Sequence, residues 1–415
     1  MKKHLVVLFA SLFVVMIGFG ITLPVLPFYV ERLAVKGGGS RAAVVLHVGL
    51  LTGVYALMQF VFAPVWGRLS DRTGRRPLVL FGIGGYVVSQ VLFGLSMSLW
   101  LLYVARVLGG ILSSATLPAS AAYVADMTGD DERGRGMAWL GAAVSLGFVV
   151  GPALGGMLTL TDFHFRASFG HFRIDAFSVP FFAAAALGVL TLFAAMRWLP
   201  ESLPAHPALR SLDGKANVGW RDRAPRLGPL LGLTLAAQLA LAMFEATFPL
   251  YAQSILRYGP GQVAAVFVVC GLVMTVCQVW AVNVFAGRLA EMWQIAAGFG
   301  VMGLGLGLLV LGRSKLSVFV FVGILALGLS FISPNLAALI SKRGGRDRVG
   351  QRLGAQNAAN SLGQAIGPLL GGALFLWQAR AAYIVSSSLL LIVALLVSSW
   401  ATQHRGPGKA ERLES

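Results

Sequence analysis

A charged segment interrupts the apolar sequence near the start of the chain: Gly67-Arg68-Leu69-Ser70-Asp71-Arg72-Thr73-Gly74-Arg75-Arg76-Pro77. It lies between two hydrophobic runs, 44–66 and 77–98, and each run has the roughly 20 apolar residues that a helix needs to cross a bilayer. Gly67 and Gly74 permit tight turns, and the charges favour water. The pattern predicts a short hydrophilic connection between two membrane-spanning helices.

Apolar runs of the same length continue in both directions from this segment and make up most of the chain. Twelve can be marked, at about 5–30, 44–66, 77–98, 100–125, 137–160, 178–199, 229–252, 263–285, 294–312, 316–340, 353–377 and 381–401, and they are called segments 1 to 12 below. The period-two alternation of a membrane barrel is absent from them. The sequence therefore predicts an all-α membrane protein with 12 transmembrane helices.

The composition supports this fold class and excludes others. Of the 415 residues, 57% are hydrophobic and only 12% are charged, whereas a soluble domain has about 25% charged residues. That supply of charge is too small to cover a water-soluble enzyme or DNA-binding domain. Phosphate-loop and zinc-protease motifs are also absent, so we predict no enzymatic activity and no cofactor, and energy from an ion gradient.

The net charge of +17 follows from the sorting of basic residues between alternate connections. Of 33 Lys and Arg residues, 23 lie in the connections that share a side with the two termini, nine lie in the opposite set, and Arg106 lies inside segment 4. The positive-inside rule places both termini in the cytoplasm. We therefore predict a multi-pass protein of the inner or plasma membrane, in contact with lipid and without nucleic acid.

The chain divides into two halves that repeat each other. Residues 147–156 of segment 5 (GFVVGPALGG) return as residues 363–372 of segment 11 (GQAIGPLLGG), and residues 27–29 return as 249–251. Two same-sense repeats of six helices are a transporter architecture with the substrate site between the halves. We predict six-helix bundles at 1–199 and 228–402, a cytoplasmic linker at 200–227, and a cytoplasmic tail at 403–415.

The segment that begins at Gly67 resembles the loop signature of the major facilitator superfamily, and it lies in the connection where that family carries it. The resemblance implies a conformational latch of the outward-open state, with Asp71 paired to arginines and to the beginning of the next helix. The alternative is an ordinary basic loop with an incidental acid. The latch residues are predicted to be Gly67, Asp71, Arg72, Gly74, Arg75, Arg76 and Asp126.

Segment 5 carries a second motif of the superfamily, formed by Gly147, Gly151, Pro152, Gly155 and Gly156. Glycines at a spacing of four let helix backbones approach closely, and the proline bends the helix. The motif resembles the antiporter signature of the 12-helix drug:proton exchangers, a group that includes quinolone-efflux and multidrug exporters and is related to the tetracycline exporters. Close helix packing without a role in transport is the alternative.

Two charged residues lie inside predicted spans, where a charge is costly and usually functional. Arg106 resembles the arginine of segment 4 that these exchangers link to proton movement, although it could also extend to the outer headgroups. Glu245 in segment 7 is similar to a glutamate of quinolone-efflux exporters, and it lies four residues before Pro249, which cannot donate to its carbonyl oxygen. We predict that both couple transport to protons; a protonated, purely structural Glu245 is the alternative.

The remaining polar and aromatic residues near the midplane are candidates for the substrate site, with packing as the alternative for each. They are Phe19, Gln59, Phe60, Met243, Phe244, Phe248, Asn335, Gln356, Asn357 and Asn360. Two positions depart from the relatives, because Val15 and Ser330 stand where tetracycline or multidrug exporters carry acids. This departure argues against exchange of metal-bound tetracycline and leaves the number of protons open.

Together these features predict a monomeric, proton-coupled secondary transporter that exports amphiphilic, often cationic small molecules by alternating access. The intramembrane Asn and Gln residues keep one alternative open, in which the same fold exports a sugar, a metabolite or a lipid precursor. A membrane sensor or scaffold that does not transport is a second alternative, although the two intact motifs speak against it.

Overall fold

The architecture is almost entirely helical in the computed structural model, which describes residues 3–36, 40–128, 130–160, 167–169, 172–174, 177–202, 224–285, 290–342 and 349–403. The helices are α1 (Lys3–Lys36), α2 (Arg41–Thr73), α3 (Arg75–Gly94), α4 (Leu99–Ser113), α5 (Thr116–Met127), α6 (Asp130–Leu160), α7 (Val179–Trp198), α8 (Ala224–Tyr251), α9 (Pro260–Phe285), α10 (Glu291–Leu309), α11 (Lys315–Lys342), α12 (Val349–Trp377) and α13 (Ala381–Gln403). A π-helical turn, Ala252–Leu256, extends α8.

The predicted spans agree with these helices in all but a few details. Segment 4 forms two helices, α4 and α5, because Pro118 in the first turn of α5 cannot donate to the carbonyl of Ser114. The charged segment at 67–77 is mostly helical and not a loop: α2 runs to Thr73, and Gly74 alone separates it from α3. Most of the predicted linker, 203–223, lies outside the described residues, and α8 already begins at Ala224.

Eleven helical stretches of the described chain are long and apolar enough to cross a membrane. Helix α12 has 29 residues and so is also long enough. Several Gln, Asn and Gly residues in its first half account for its lower hydropathy. A short antiparallel pair of strands, β1 (Ala167–Phe169) and β2 (Phe172–Ile174), was not predicted and lies between α6 and α7.

The two halves, α1–α7 and α8–α13, pack their helices in the same way. In the first half, Gly151 of α6 lies against the backbone of α1 at Ile17. In the second half, Gly367 of α12 lies against the backbone of α8 at Leu239. Both the glycines and their partners are equivalent in the sequence repeat, so the repeat extends to the helix contacts.

The halves contact each other through α2 with α12 and through α6 with α9. Gly49 of α2 lies against the backbone of Pro368, and Gly156 of α6 lies against Gly261 at the beginning of α9. Near the same level, the Gln253 side chain donates a hydrogen bond to Glu31 at the end of α1. We call this side of the molecule the Glu31 end and the opposite side the Asp71 end.

The halves separate toward the Asp71 end. The first half of α2 is rich in buried residues, but no residue of α2 between Leu57 and Leu69 is buried. On α12 the facing end is also open: Asn357 is exposed, and a side chain added at Gly354 would meet nothing within 4 Å. The structure is therefore closed at the Glu31 end and open between α2 and α12 at the Asp71 end.

Candidate functional site

A cavity lies between the two halves, below the closed Glu31 end. Helices α1, α2 and α4 contribute most of its wall, and α8 of the second half completes it with Glu245 and Ala246. Its lining is mainly apolar, with Arg106 and Glu245 as its two charged residues. The lining residues are Phe19, Thr22, Leu23, Leu26, Pro27, Val48, Thr52, Tyr55, Arg106, Glu245 and Ala246.

Glu245 is the acidic residue of this cavity. Its side chain is partly buried and makes no hydrogen bond or ion pair with any residue that the structure describes. Pro249 stands within the same helix, and the π-helical turn begins three residues after it. A carboxylate without a partner in an apolar cavity gains most from binding a proton or a cation, because burial of an unpaired charge is costly.

Arg106 faces Glu245's cavity from α4 and is 6% exposed. Its guanidinium carbon lies 5.1 Å from the ring centroid of Tyr55 and 5.0 Å from that of Phe93, within the range of cation–π contacts. Its Nε has no hydrogen-bond partner, and no described carboxylate lies within ion-pair distance. Within the described chain, the two charged residues of the cavity are therefore both unpaired and are not bridged to each other.

A second cavity lies inside the first half and shares Phe19, Thr22, Tyr55 and Arg106 with the lining of the first. Much of its wall is polar, and its described lining contains no acidic residue. The other lining residues are Val15, Gly18, Tyr86, Ser89, Gln90, Phe93 and Ser113.

Some of the residues predicted for the substrate site lie at the cavities. Phe19 lines both of them and packs against the Tyr55 ring, with 5.8 Å between the ring centroids. Gln59 donates a hydrogen bond of 3.2 Å to the hydroxyl of Tyr55. It therefore helps to fix the side chain of Tyr55, one helical turn away, in the cavity wall. Phe60 is partly buried and belongs to neither lining.

Other predicted residues lie in helix contacts. Phe244 and Phe248 are buried in an aromatic cluster with Phe267 of α9. Met243 packs against Gly371 of α12, and its sulfur accepts a hydrogen bond of 3.5 Å from Ser386.

The predicted amides of the second half lie on α11 and α12, away from both cavities. Asn335 donates a hydrogen bond of 3.1 Å to the side chain of Gln294. On α12, Gln356 is buried, Asn360 is partly buried and Asn357 is exposed at the open Asp71 end.

Seven polar residues of the cavity linings were not predicted from the sequence: Thr22, Thr52 and Tyr55 in the first cavity, and Tyr86, Ser89, Gln90 and Ser113 in the second. One signal was available for two of them. Thr22 follows Phe19 by three residues and Tyr55 precedes Gln59 by four, so each shares a helix face with a predicted residue. Tyr86 and Gln90 share a face of α3, but nothing in the sequence relates that face to Arg106.

The predicted latch residues converge on Arg75 at the beginning of α3. The Nη1 atom of Arg75 lies 2.5 Å from Asp71 Oδ1, and its Nε lies 2.9 Å from Asp126 Oδ2 at the end of α5. Arg76 donates to the carbonyl of Met196 at the end of α7. Arg75 thus connects three helices of the first half.

Gly74 makes this arrangement possible through its backbone. Its φ of 111° lies in the region that favours glycine, and it turns the chain between α2 and α3 within one residue. The other two predicted latch residues stand apart from this cluster: Arg72 is exposed, and a side chain added at Gly67 would meet nothing within 4 Å.

Glu201 belongs to this cluster, although the sequence did not reveal it. Its carboxylate accepts hydrogen bonds from the backbone N–H groups of Arg75 (2.8 Å) and Arg76 (3.2 Å). These are free donors of the first turn of α3, and an anion at this position also interacts favourably with the helix dipole. Two contacts were predicted for Asp71, one with an arginine and one with the beginning of the next helix. Asp71 makes the first, with Arg75, and Glu201 makes the second.

Loss of the Asp71–Arg75 pair should impair transport without loss of the protein from the membrane. We expect Asp71→Asn to lower the transport rate severalfold, because it removes one of two anchors of Arg75 while Asp126 and Glu201 keep α3 in place. Transport and surface expression are measured together, with Asp222→Asn as the control. Wild-type transport at wild-type expression would refute the latch role.

The second half has a charge pair at the equivalent position. Glu291 begins α10, and Lys342 at the end of α11 donates to its carboxylate. Lys342 is equivalent to Asp126 in the sequence repeat. A pair of opposite charges therefore joins the corresponding helix ends in both halves, but the acid and the base have exchanged places. The repeat therefore preserves the connection but not the residue types.

The glycines of the predicted antiporter motif line two helix contacts. Gly147, Gly151 and Gly155 lie against the backbone of α1, whereas Gly156 lies against Ala264 and Gly261 of α9, across the contact between the halves. Pro152 lies against Gly20 of α1. The motif thus joins the α1 wall of the cavity to the interface between the halves.

Comparison with known proteins places these features in a family. The model of the Major Facilitator Superfamily matches residues 8–342 and 279–414. The chain is 26% identical to "Multidrug resistance protein 2" of Bacillus subtilis, over 96% of this chain and 95% of the relative. It is 28% identical to "Tetracycline resistance protein, class C" of Escherichia coli, over 96% and 98%, and 25% identical to "Quinolone resistance protein NorA" of Staphylococcus aureus over the full length of both.

Solved structures show the same fold. The human organic anion transporter MFSD10 (TETRAN) superposes with a TM-score of 0.71 at 23% identity, over 95% of this chain and 99% of that one. With these matches spanning nearly all of its length, the chain belongs to the Major Facilitator Superfamily.

Proposed function

We propose that this protein exports amphiphilic, often cationic small molecules from the cell in exchange for protons. The observation that carries the proposal is the position of Glu245, the one acid of a mainly apolar cavity between the halves, without a partner among the described residues. The multidrug, quinolone and tetracycline resistance proteins that resemble the chain over nearly its full length support export of drug-like molecules.

The chemistry of Glu245 provides the coupling. An ionised carboxylate in this cavity is stabilised by a cationic substrate, and a protonated one is stable without it. Proton and substrate therefore compete for one group. A proton taken up from the outside displaces the substrate there, and release of that proton to the cytoplasm restores the substrate site.

Alternating access would bring Glu245 to each side of the membrane in turn. The sorting of basic residues places the Asp71 end in the cytoplasm, so in this proposal the described conformation is the inward-open one. Closure of that end would bring α2 and α12 together where they now diverge. The Arg75 and Lys342 pairs each lie within one half and are formed while the Asp71 end is open, so in this proposal they hold each half rigid as it rotates and position it for the outward-open state. The Gln253–Glu31 contact must break when the Glu31 end opens.

Proteoliposomes with an imposed pH gradient test the proposal. We expect vesicles with an acidic lumen in an alkaline buffer to take up a fluorescent cationic amphiphile such as ethidium, with release of lumenal protons as the dye enters. The matched control is the same vesicles with the gradient collapsed by an ionophore. Proton flux that appears only with a sugar would favour the sugar-exporting alternative, and no flux with any compound would favour the sensor or scaffold.

A further inference from the structure

Arg106 is a buried cation to which the described residues offer no anion. It is 6% exposed, its Nε has no hydrogen-bond partner, and the two aromatic rings beside it are its nearest compensation. Withdrawal of a guanidinium from water is costly unless a partner and hydrogen bonds replace the water. Both cavities reach Arg106, so a ligand in either one can supply the missing partner.

The cavity inside the first half is suited to a negatively charged group. Its described lining contains no acid, and Gln90 and the hydroxyl-bearing side chains of Tyr55, Tyr86 and Ser89 lie in its wall with Arg106. Guanidinium binds carboxylates with two parallel hydrogen bonds, and in a site shielded from water such charge-assisted bonds are strong. Val15, an apolar residue, lies in the same wall.

The first cavity has Arg106 and Glu245 in one lining. Arg106 and Glu245 both line it, each unpaired among the described residues, and apolar side chains such as Phe19 and Leu26 lie in the wall with them. A bound molecule that carries only a cation would satisfy Glu245 but leave Arg106 buried beside a second positive charge. A molecule with both charges and an apolar body would provide a partner for Arg106, a partner for Glu245 and contacts for the apolar side chains.

We propose that Arg106 forms an anion subsite, so that preferred substrates are zwitterions with a carboxylate bound by the first half and an amine bound by Glu245 of the second. This inference rests on the proposed export function and narrows its substrate class. It also gives Arg106 a direct substrate contact, in addition to the predicted role in proton movement.

The test measures binding to the purified full-length protein in detergent at constant pH, without a gradient. The probes are ciprofloxacin, which has a carboxylate and an amine, and its methyl ester, with tryptophan and tryptophan methyl ester as a second pair. We expect each free carboxylate to bind at least about tenfold more tightly than its ester, as loss of one charge-assisted contact implies. Arg106→Gln should bring the two affinities within about twofold.

A pair of variants at Val15 gives a test that leaves Arg106 intact. Val15→Asp adds a carboxylate to the same cavity wall and should remove the preference for carboxylates, because Arg106 gains a partner. Val15→Asn has nearly the same size without the charge and should keep the preference. Equal affinities for carboxylate and ester in the wild type, or equal loss of both in Arg106→Gln with no difference between the two Val15 variants, would overturn the subsite.

A change of buffer anion distinguishes a substrate subsite from a site for a resident inorganic anion. The binding experiment is repeated with chloride replaced by isethionate, a bulky anion without a carboxylate, and a carboxylate preference that exists only without chloride would assign Arg106 to the inorganic anion and refute the substrate role. Because binding is measured without a gradient, failure of proton-driven export leaves this result unaffected. Conversely, export that proceeds without a carboxylate preference refutes the subsite alone.

Discussion

Glu245→Gln is expected to abolish proton-driven export, to the background of protein-free vesicles, while the protein remains folded in the membrane. Glutamine keeps the shape and the polarity of the side chain but cannot exchange a proton. Among the described residues no other acid lines either cavity, so none can replace it. Substrate-driven proton release from the lumen should disappear together with gradient-driven substrate uptake, because both depend on the same carboxyl group.

Binding distinguishes loss of coupling from loss of the site. In detergent, Glu245→Gln should bind a neutral amphiphile as tightly as the wild type does and a cationic one more weakly, because only the latter gains from the carboxylate. The wild-type affinity for the cation should fall as the solution becomes more acidic, whereas the affinity of the variant should not change over the same range. This comparison of pH dependence assigns the competing proton to Glu245.

Glu411→Gln is the matched control, since it makes the same chemical change in the C-terminal tail and should leave transport unchanged. Proton-driven export by Glu245→Gln at the wild-type rate would contradict the coupling role. It would favour the alternative in which Glu245 is a protonated structural residue. If the variant fails to reach the membrane, its substrate binding is compared with that of the wild type in detergent. The dependence of binding on pH then still distinguishes a coupling role of Glu245 from a structural one.

Close backbone contact at the glycines of α6 and α12 could be predicted from the sequence, whereas their partners, α1 and α8, are known from the structure. Glycines at a spacing of four leave one face of a helix without side chains, so a row of them marks a face that another helix can approach closely. The repeat then places the second contact, and the structure has Gly151 against Ile17 and Gly367 against Leu239. Arg106 and Glu245 could be found for a related reason, because a charge inside an apolar span needs a cavity or a partner.

Proximity to Glu245 in the sequence did not predict which residues line the cavity with it. Phe244 and Phe248 flank Glu245 along the chain, but successive residues of a helix point about 100° apart. Residues 244 and 248 therefore lie on one face, which packs on α9, while Glu245 points into the cavity. The direction of each face depends on how the helix is rotated in the bundle, and no local pattern in α8 determines that rotation.

The role of Glu201 was hidden for a different reason. Its partners, the N–H groups of Arg75 and Arg76, lie more than a hundred residues earlier in the chain. Sequence rules for helix beginnings search for a cap within the adjacent residues, and Gly74 offers no side chain there. The capping group is instead the Glu201 carboxylate, just after the end of α7. It reaches the beginning of α3 only because α3 packs against α7.

Gly151→Ala should destabilise the protein, whereas Gly141→Ala ten residues earlier on the same helix should not. A Cβ atom at Gly151 would lie 2.5 Å from the Ile17 carbonyl oxygen and 2.7 Å from the Gly20 Cα. Both are backbone atoms, so α1 and α6 would have to separate. We expect a loss of about 1–3 kcal/mol, typical of overpacking, and a melting temperature several degrees lower.

Two further glycines make this expectation specific. Gly141 is exposed and an added Cβ would meet nothing within 4 Å, so Gly141→Ala should stabilise its helix by up to about 1 kcal/mol. At the equivalent Gly367 the added Cβ would lie 2.7 Å from the Ala242 Cβ and 3.0 Å from the Leu239 carbonyl oxygen, so Gly367→Ala should have an intermediate effect.

Thermal unfolding in detergent, followed by loss of the monodisperse peak on size exclusion, ranks the three variants. If Gly151→Ala melts at or above the temperature of Gly141→Ala, close backbone contact is not what this glycine provides, and the motif must be explained by its effect on transport instead.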